Sequence, residues 1–226
     1  MTDIFKEVDE DIRRDQYKKL WDRFGPYLIG AAVLIVAATA GFRGWEYWQE
    51  QRAQASGDRF LAAIEAAAAG DHDQAMSLLQ EVAENGSGDY PMLARFRIAT
   101  ERVASGDSNG AIDEYDAIAE SSGIPDEVRN IARLRAAFIM VDTSTTDELR
   151  TRIGDLAETG NPWRHTAREL IGLSAWRSGE YEVARGFFND IAVDQETPND
   201  LRQRSEVMLS LIRARVGDPN APSGGG

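Results

Sequence analysis

The side chains able to do chemistry are few and scattered. His72 and His165 are the only histidines, and no second histidine stands at metal-ligand spacing from either. His72 is expected in a helix–helix turn and His165 early in a helix. The chain has no cysteine, so thiolate ligands, a thiol nucleophile and disulfide staples are excluded, while the redox compartment stays open. The acidic cluster Asp3, Glu7, Asp9, Glu10, Asp11 and Asp15 lacks the glycine and spacing of a calcium loop. Paired carboxylates such as Asp113 and Glu114 fall on helix faces, where solvation explains them. No His-Glu-x-x-His element, Gly-rich phosphate loop or nucleophile elbow exists. These residues imply a protein that is not an enzyme and uses no cofactor and no metal.

What remains is surface, and surface is set by the elements beneath it. Three segments share one pattern: Gly70-Asp-His-Asp-Gln-Ala75, Gly106-Asp-Ser-Asn-Gly-Ala111 and Gly179-Glu-Tyr-Glu-Val-Ala184. Four positions after each alanine stands a larger apolar residue (Leu79, Tyr115, Phe188), and three further on another (Val82, Ile118, Ile191). A degenerate copy, Ser144-Thr-Thr-Asp-Glu-Leu149, carries Ile153 and Leu156 in the same places. The four turns are 36, 38 and 35 residues apart. This pattern resembles the tetratricopeptide repeat family, whose unit is a pair of antiparallel helices. Glycine ends the first helix where φ must turn positive, and the small alanine lets the second helix approach. Small residues stand in the first helices as well: Ala62/Ala63, Ala99, Ala136/Ala137 and Gly172.

The fold class expected is therefore all-α, a solenoid of about four helix pairs over residues 54–216. The pairs fall at 54–69/71–84, 91–105/107–121, 126–142/146–158 and 163–178/180–193, with a capping helix over 199–216 and a flexible tail over 217–226. In such stacks the first helices line a groove. The positions expected to face it are Phe60, Ile64, Phe96, Leu134, Phe138, Leu173 and Trp176, an apolar stripe suited to binding protein. The alternative is that the stripe is interhelical core, or is covered by the last helix.

Upstream, Phe24 to Phe42 is a run of 19 residues without a charge. As a helix it spans about 28 Å, close to a bilayer's hydrocarbon thickness. Arg23 and Arg43 bracket it, Trp45, Tyr47 and Trp48 follow, and Pro26 falls in its first turn. The run is too long, and preceded by too much patterned chain, for a cleaved signal peptide. The layout is thus a tail over 1–23, a transmembrane helix over 24–43 and a juxtamembrane linker over 44–53. Arg13, Arg14, Lys18, Lys19 and Arg23 precede the span, against Arg43 and Arg52 just after it, which places the N-terminus in the cytoplasm. Ala37/Gly41 and Ala40/Gly44 either mark close helix packing in lipid or reflect the ordinary abundance of small residues there. The tail reads as an amphipathic helix with Ile4, Phe5, Val8 and Ile12 on one stripe, then Tyr17, Leu20 and Trp21, with Thr2 or Asp3 as cap. It either docks on a partner or is a solvated stub.

Charge narrows the partners. Residues 1–43 hold seven basic and seven acidic side chains, so the formal net charge of −13 lies wholly on residues 44–226. Such a domain repels nucleic acid. The tail Ile4-Phe-Lys-Glu-Val-Asp-Glu-Asp-Ile12, the span with Trp45 and Trp48 after it, and the Gly-acidic-x-x-x-Ala turns together resemble the ancillary SecYEG translocon subunit family of bacteria. That resemblance implies a single-pass inner-membrane protein with a periplasmic repeat domain. It also implies partners: the SecYEG channel, a membrane-anchored prolyl-isomerase-like chaperone and client polypeptides. The turn at Ser144 departs from the pattern, lacking both glycine and aspartate. A structural scaffold for another envelope complex, such as a division or respiratory assembly, is the competing expectation.

Overall fold

The computed structural model describes the backbone of residues 3–217 and the side chains of residues 23–217. The tail's apolar stripe and acidic cluster, the Thr2 cap and the C-terminal segment 218–226 lie outside the described residues. Among those described, every regular element is helical: α1 Asp3–Ala68, α2 His72–Asn85, α3 Tyr90–Ala104, α4 Ser108–Ala119, α5 Asp126–Met140, α6 Thr146–Ile153, α7 Arg164–Arg177, α8 Tyr181–Val193 and α9 Asn199–Val216. A 3-10 turn, Gly154–Ala157, follows α6. The chain divides into two units, residues 1–58 and 59–226.

The first unit carries the apolar run, and its helix is long and apolar enough to cross a membrane. Its large side chains point outward, with Tyr27, Leu34 and Val36 each at least 67% exposed. A helix that shows such residues to its surroundings has its apolar face unburied by protein. Inside the run, the Thr39 hydroxyl donates to the Ile35 carbonyl at 2.8 Å, so this polar group is satisfied within the helix. At the run's end Trp45 and Trp48 lie 5.4 Å apart and the Arg52 guanidinium sits 4.7 Å over the Trp48 ring.

Two expectations change here. No helix terminus occurs near residue 24, so Pro26 lies inside α1 rather than in a first turn. It has no N–H to give to the carbonyl one turn earlier, and the helix runs through it regardless. Residues 44–53 are helical rather than a linker, since Gly44 is their only poor helix former.

In the second unit the last residues of α1 pair with α2, then α3 with α4, α5 with α6 and α7 with α8, and α9 packs on α8 and α7. The repeat positions read from the sequence form the seams. Ala75, Ala111 and Ala184 are fully buried, as are Leu79, Ile118 and Ile191, with Val82, Phe188 and Tyr115 at most 4% exposed. Burying each large apolar side chain favours folding by about 1.5–3 kcal/mol relative to leaving it in water. Most contacts join helices adjacent in sequence, as in a one-dimensional stack.

Gly70, Gly106 and Gly179 turn with φ of 84°, 85° and 78°, the conformation their positions demand. The acidic residue after glycine has a task of its own. Asp71 accepts from the Gln74 backbone N–H at 3.0 Å, and Asp107 from that of Gly110 at 2.9 Å, capping α2 and α4. Glu180 makes no such bond.

The turn at Ser144 is built differently. Thr145 and Glu148 form a reciprocal capping box at the start of α6. The Ser144 carbonyl accepts from the Ser174 hydroxyl at 3.0 Å and from Arg177, both on α7. Side chains of the next repeat thus hold a turn that elsewhere depends on glycine. The second helix of this pair is also shorter than expected. It gives way at Gly154 to the 3-10 turn, which keeps Leu156 buried at 2% exposure.

Candidate protein-binding groove

The first helices of the first three pairs line two adjoining clefts. The nearer one, about 300 Å³, is bounded by Phe60 and Ile64 of α1, Leu93, Phe96, Arg97 and Thr100 of α3, Tyr115 of α4, and Ile131 and Arg135 of α5. The second, about 540 Å³, shares Thr100, Tyr115 and Arg135 with it and adds Val103, Phe138 and Ile139. Because they share three walls, the two read as one groove. Aromatic side chains line it, and the Phe96 and Tyr115 ring centroids lie 5.8 Å apart. Phe138 stands 51% exposed at one end.

Of the seven side chains expected there, Phe60, Ile64 and Phe96 meet in the first cleft and Phe138 lies in the second. Leu134 does not face it. It is 4% exposed and belongs to the core formed with Leu149, Ile153 and Leu170. Leu173 and Trp176 pack on the cluster of Phe188, Ile191, Leu209 and Ile212, contributed by α8 and α9, and Trp176 meets Tyr181 edge-on at 5.0 Å. Packing against α8 and α9 therefore leaves both side chains half-buried at the C-terminal end. The sequence reading missed Leu93, Val103, Ile131, Arg97 and Arg135. The two arginines interrupt the apolar pattern, and that pattern was the signal followed.

Larger hollows elsewhere carry ion pairs in their walls. One of about 730 Å³ is walled by the Arg152–Asp116 ion pair, another of about 720 Å³ by Arg95 and Glu114, 3.1 Å apart. Glu114 is thus half-buried and paired rather than solvated as the sequence suggested, while Asp113 is exposed. Such pairs tie helices together.

The histidines are engaged separately. His72 Nδ1 lies 2.9 Å from Glu101, a buried carboxylate that also takes Arg97 at 2.5 Å. His165 Nε2 lies 2.9 Å from Asp194, which Arg164 meets at 2.8 Å. The Arg164 guanidinium, the Glu196 backbone N–H and His165 hold the Asp194 carboxyl well below the usual carboxylate range. This cluster staples the α8–α9 turn to the start of α7. Among the described residues, no group of three or more His, Cys, Asp or Glu side chains is placed to hold a metal ion.

Residues 18–210 match the tetratricopeptide repeat-like domain, which covers most of the chain. The chain belongs to the tetratricopeptide repeat-like family. Paired helices and a groove along the first helix of each pair are what such a repeat protein uses to bind other proteins, so a protein-interaction role follows from membership. No protein of curated function matches the repeat protein in sequence.

Proposed function

We propose that this repeat protein is a non-catalytic adaptor or chaperone, anchored in the bacterial inner membrane by residues 24–42, with its repeat domain in the periplasm beside the Sec translocon. The observation that carries the adaptor reading is the open aromatic groove. Its walls come from three helix pairs, and among them Leu93, Val103 and Phe138 stay 41%, 42% and 51% exposed after the seams are filled. Surplus apolar surface on a soluble domain marks a binding face.

The anchor reading rests on the exposed apolar run and the aromatic residues at its end. The excess of Lys and Arg before the run supports a cytoplasmic N-terminus. The translocon, its prolyl-isomerase-like chaperone and emerging clients are proposed as partners from the resemblance of the tail, span and turns.

Crosslinking in native membranes, followed by identification of the captured proteins, tests this. Recovery of the channel or the chaperone is expected with the intact chain and is lost when residues 1–43 are deleted. Recovery of a division or respiratory assembly in their place overturns the assignment. Carbonate extraction tests the anchor: release of the intact chain without detergent sinks it.

A further inference from the structure

The groove carries a charge opposite to that of the domain around it. Residues 59–226 hold 28 carboxylates and 17 arginines. Yet no carboxylate lines either cleft, and two arginines do. Arg97 is turned to Glu101, itself shared with His72, so its charge is already answered. Arg135 is different. It lines both clefts, is exposed, and has no hydrogen bond or ion pair to any other side chain among the described residues. In a unit so rich in acids, an arginine left unpaired between aromatic walls is available to a guest.

Resting on the adaptor reading above, we propose that the groove selects extended polypeptide in which an aromatic or large aliphatic side chain stands beside a carboxylate, with Arg135 as the carboxylate's partner. The planar guanidinium fork suits a carboxylate held by two parallel hydrogen bonds. Phe96 and Phe138 offer ring surface to the neighbouring apolar side chain. The domain's overall negative charge opposes an acidic guest at long range. Inside the groove the balance reverses, because salt screens charges beyond about 8 Å at physiological ionic strength. A bare apolar segment would bind too, but more weakly than its acidic counterpart.

The test is fluorescence anisotropy on the full-length chain in mild detergent. The probe is a labelled eight-residue peptide alternating phenylalanine with glutamate, blocked at both ends, set against versions carrying glutamine or lysine in place of glutamate. The glutamate peptide is expected to bind about fivefold or more tightly than the glutamine one, with the margin shrinking as salt rises. Arg135→Glu erases that preference, Arg135→Lys restores part of it, and Phe138→Ala weakens all three peptides alike. Circular dichroism confirms that the variants fold.

Equal affinity for glutamate and glutamine peptides overturns the proposal, as does a preference that survives Arg135→Glu. Failure of every peptide to bind overturns it as well. In each of these cases the adaptor reading still stands or falls on the proteins captured in native membranes. Conversely, a clean Arg135-dependent preference with no translocon partner captured supports the groove chemistry and sinks the assigned location.

Discussion

Gly172→Ala sets two effects of similar size against each other, and the structure says which wins. Gly172 lies inside α7, where alanine improves helix propensity by about 1 kcal/mol. A Cβ added there would stand 3.1 Å from Phe188 Cζ, 3.2 Å from Phe188 Cε2 and 3.3 Å from Phe187 Cβ. Relaxed carbon–carbon contacts lie at about 3.5–4.0 Å, so three neighbours must each yield a few tenths of an ångström. None yields readily. The Phe188 ring is 1% exposed and is held by Ala184, Ile191 and Ile212, and the Phe187 Cβ moves only if the α8 backbone moves. Overpacking of this kind costs about 1–3 kcal/mol, so the net change is a loss of about 1 kcal/mol.

Gly186→Ala is the matched control. It sits in α8 with nothing within 4 Å of the added Cβ, so only the propensity gain of up to about 1 kcal/mol operates. Urea unfolding of the full chain in mild detergent, followed at 222 nm, should move the two midpoints in opposite directions. Combining Gly172→Ala with Phe188→Leu should cost less than the two single changes summed, because the smaller side chain admits the methyl group. A Gly172→Ala variant as stable as Gly186→Ala would refute the claim that close approach of α7 and α8 sets this position.

Acid should weaken the staple at the α8–α9 turn. The folded state holds the Asp194 proton affinity below that of the unfolded chain, so its contribution is full above about pH 5 and fades as pH falls through the carboxylate range. Unfolding midpoints from pH 3 to 7 should drop at the acid end for the natural chain, and Asp194→Asn should flatten that drop. Leu134→Ala should cost about 2–5 kcal/mol as a core cavity, whereas Phe138→Ala, half exposed, should change stability by less than about 0.5 kcal/mol while lowering partner capture. Equal stability costs would show that the groove face of α5 is wrongly assigned. Asp107→Ala should lose about 0.5–2 kcal/mol with its cap, and Glu180→Ala, which removes no cap, should be near neutral in the same urea assay.

The repeat seams were readable because burial there is absolute: a small residue followed at fixed spacing by two large ones leaves few other ways to pack. The groove was only half readable, for a definite reason. On α5 the groove face is Ile131, Arg135 and Phe138, a stripe at helical spacing broken by a charge, while Leu134 belongs to the neighbouring stripe with Ala137. On α3 Arg97 and Thr100 break the stripe of Leu93, Phe96 and Val103 in the same way. Hydrophobic periodicity finds the side of a helix that water must not touch; a face built to meet a partner keeps polar residues, and the pattern passes over it. The capping residues Asp71 and Asp107 were visible as a motif whose role needed the turn geometry.

The two ends of the stack have opposite designs, and the difference bears on where binding occurs. Over α7, α8 and α9 the apolar stripe is half-buried: Leu173 and Trp176 pack on the core, Arg204 of α9 reaches Glu169 of α7 at 2.8 Å, and the Asp194 cluster pins the last turn. From Phe60 to Ile139 the same face of the repeat is left open and lined with rings and arginines. The recognition face proposed above therefore falls within residues 60–139, where Leu93, Val103 and Phe138 stay exposed, while apolar packing and ion pairs join α7, α8 and α9.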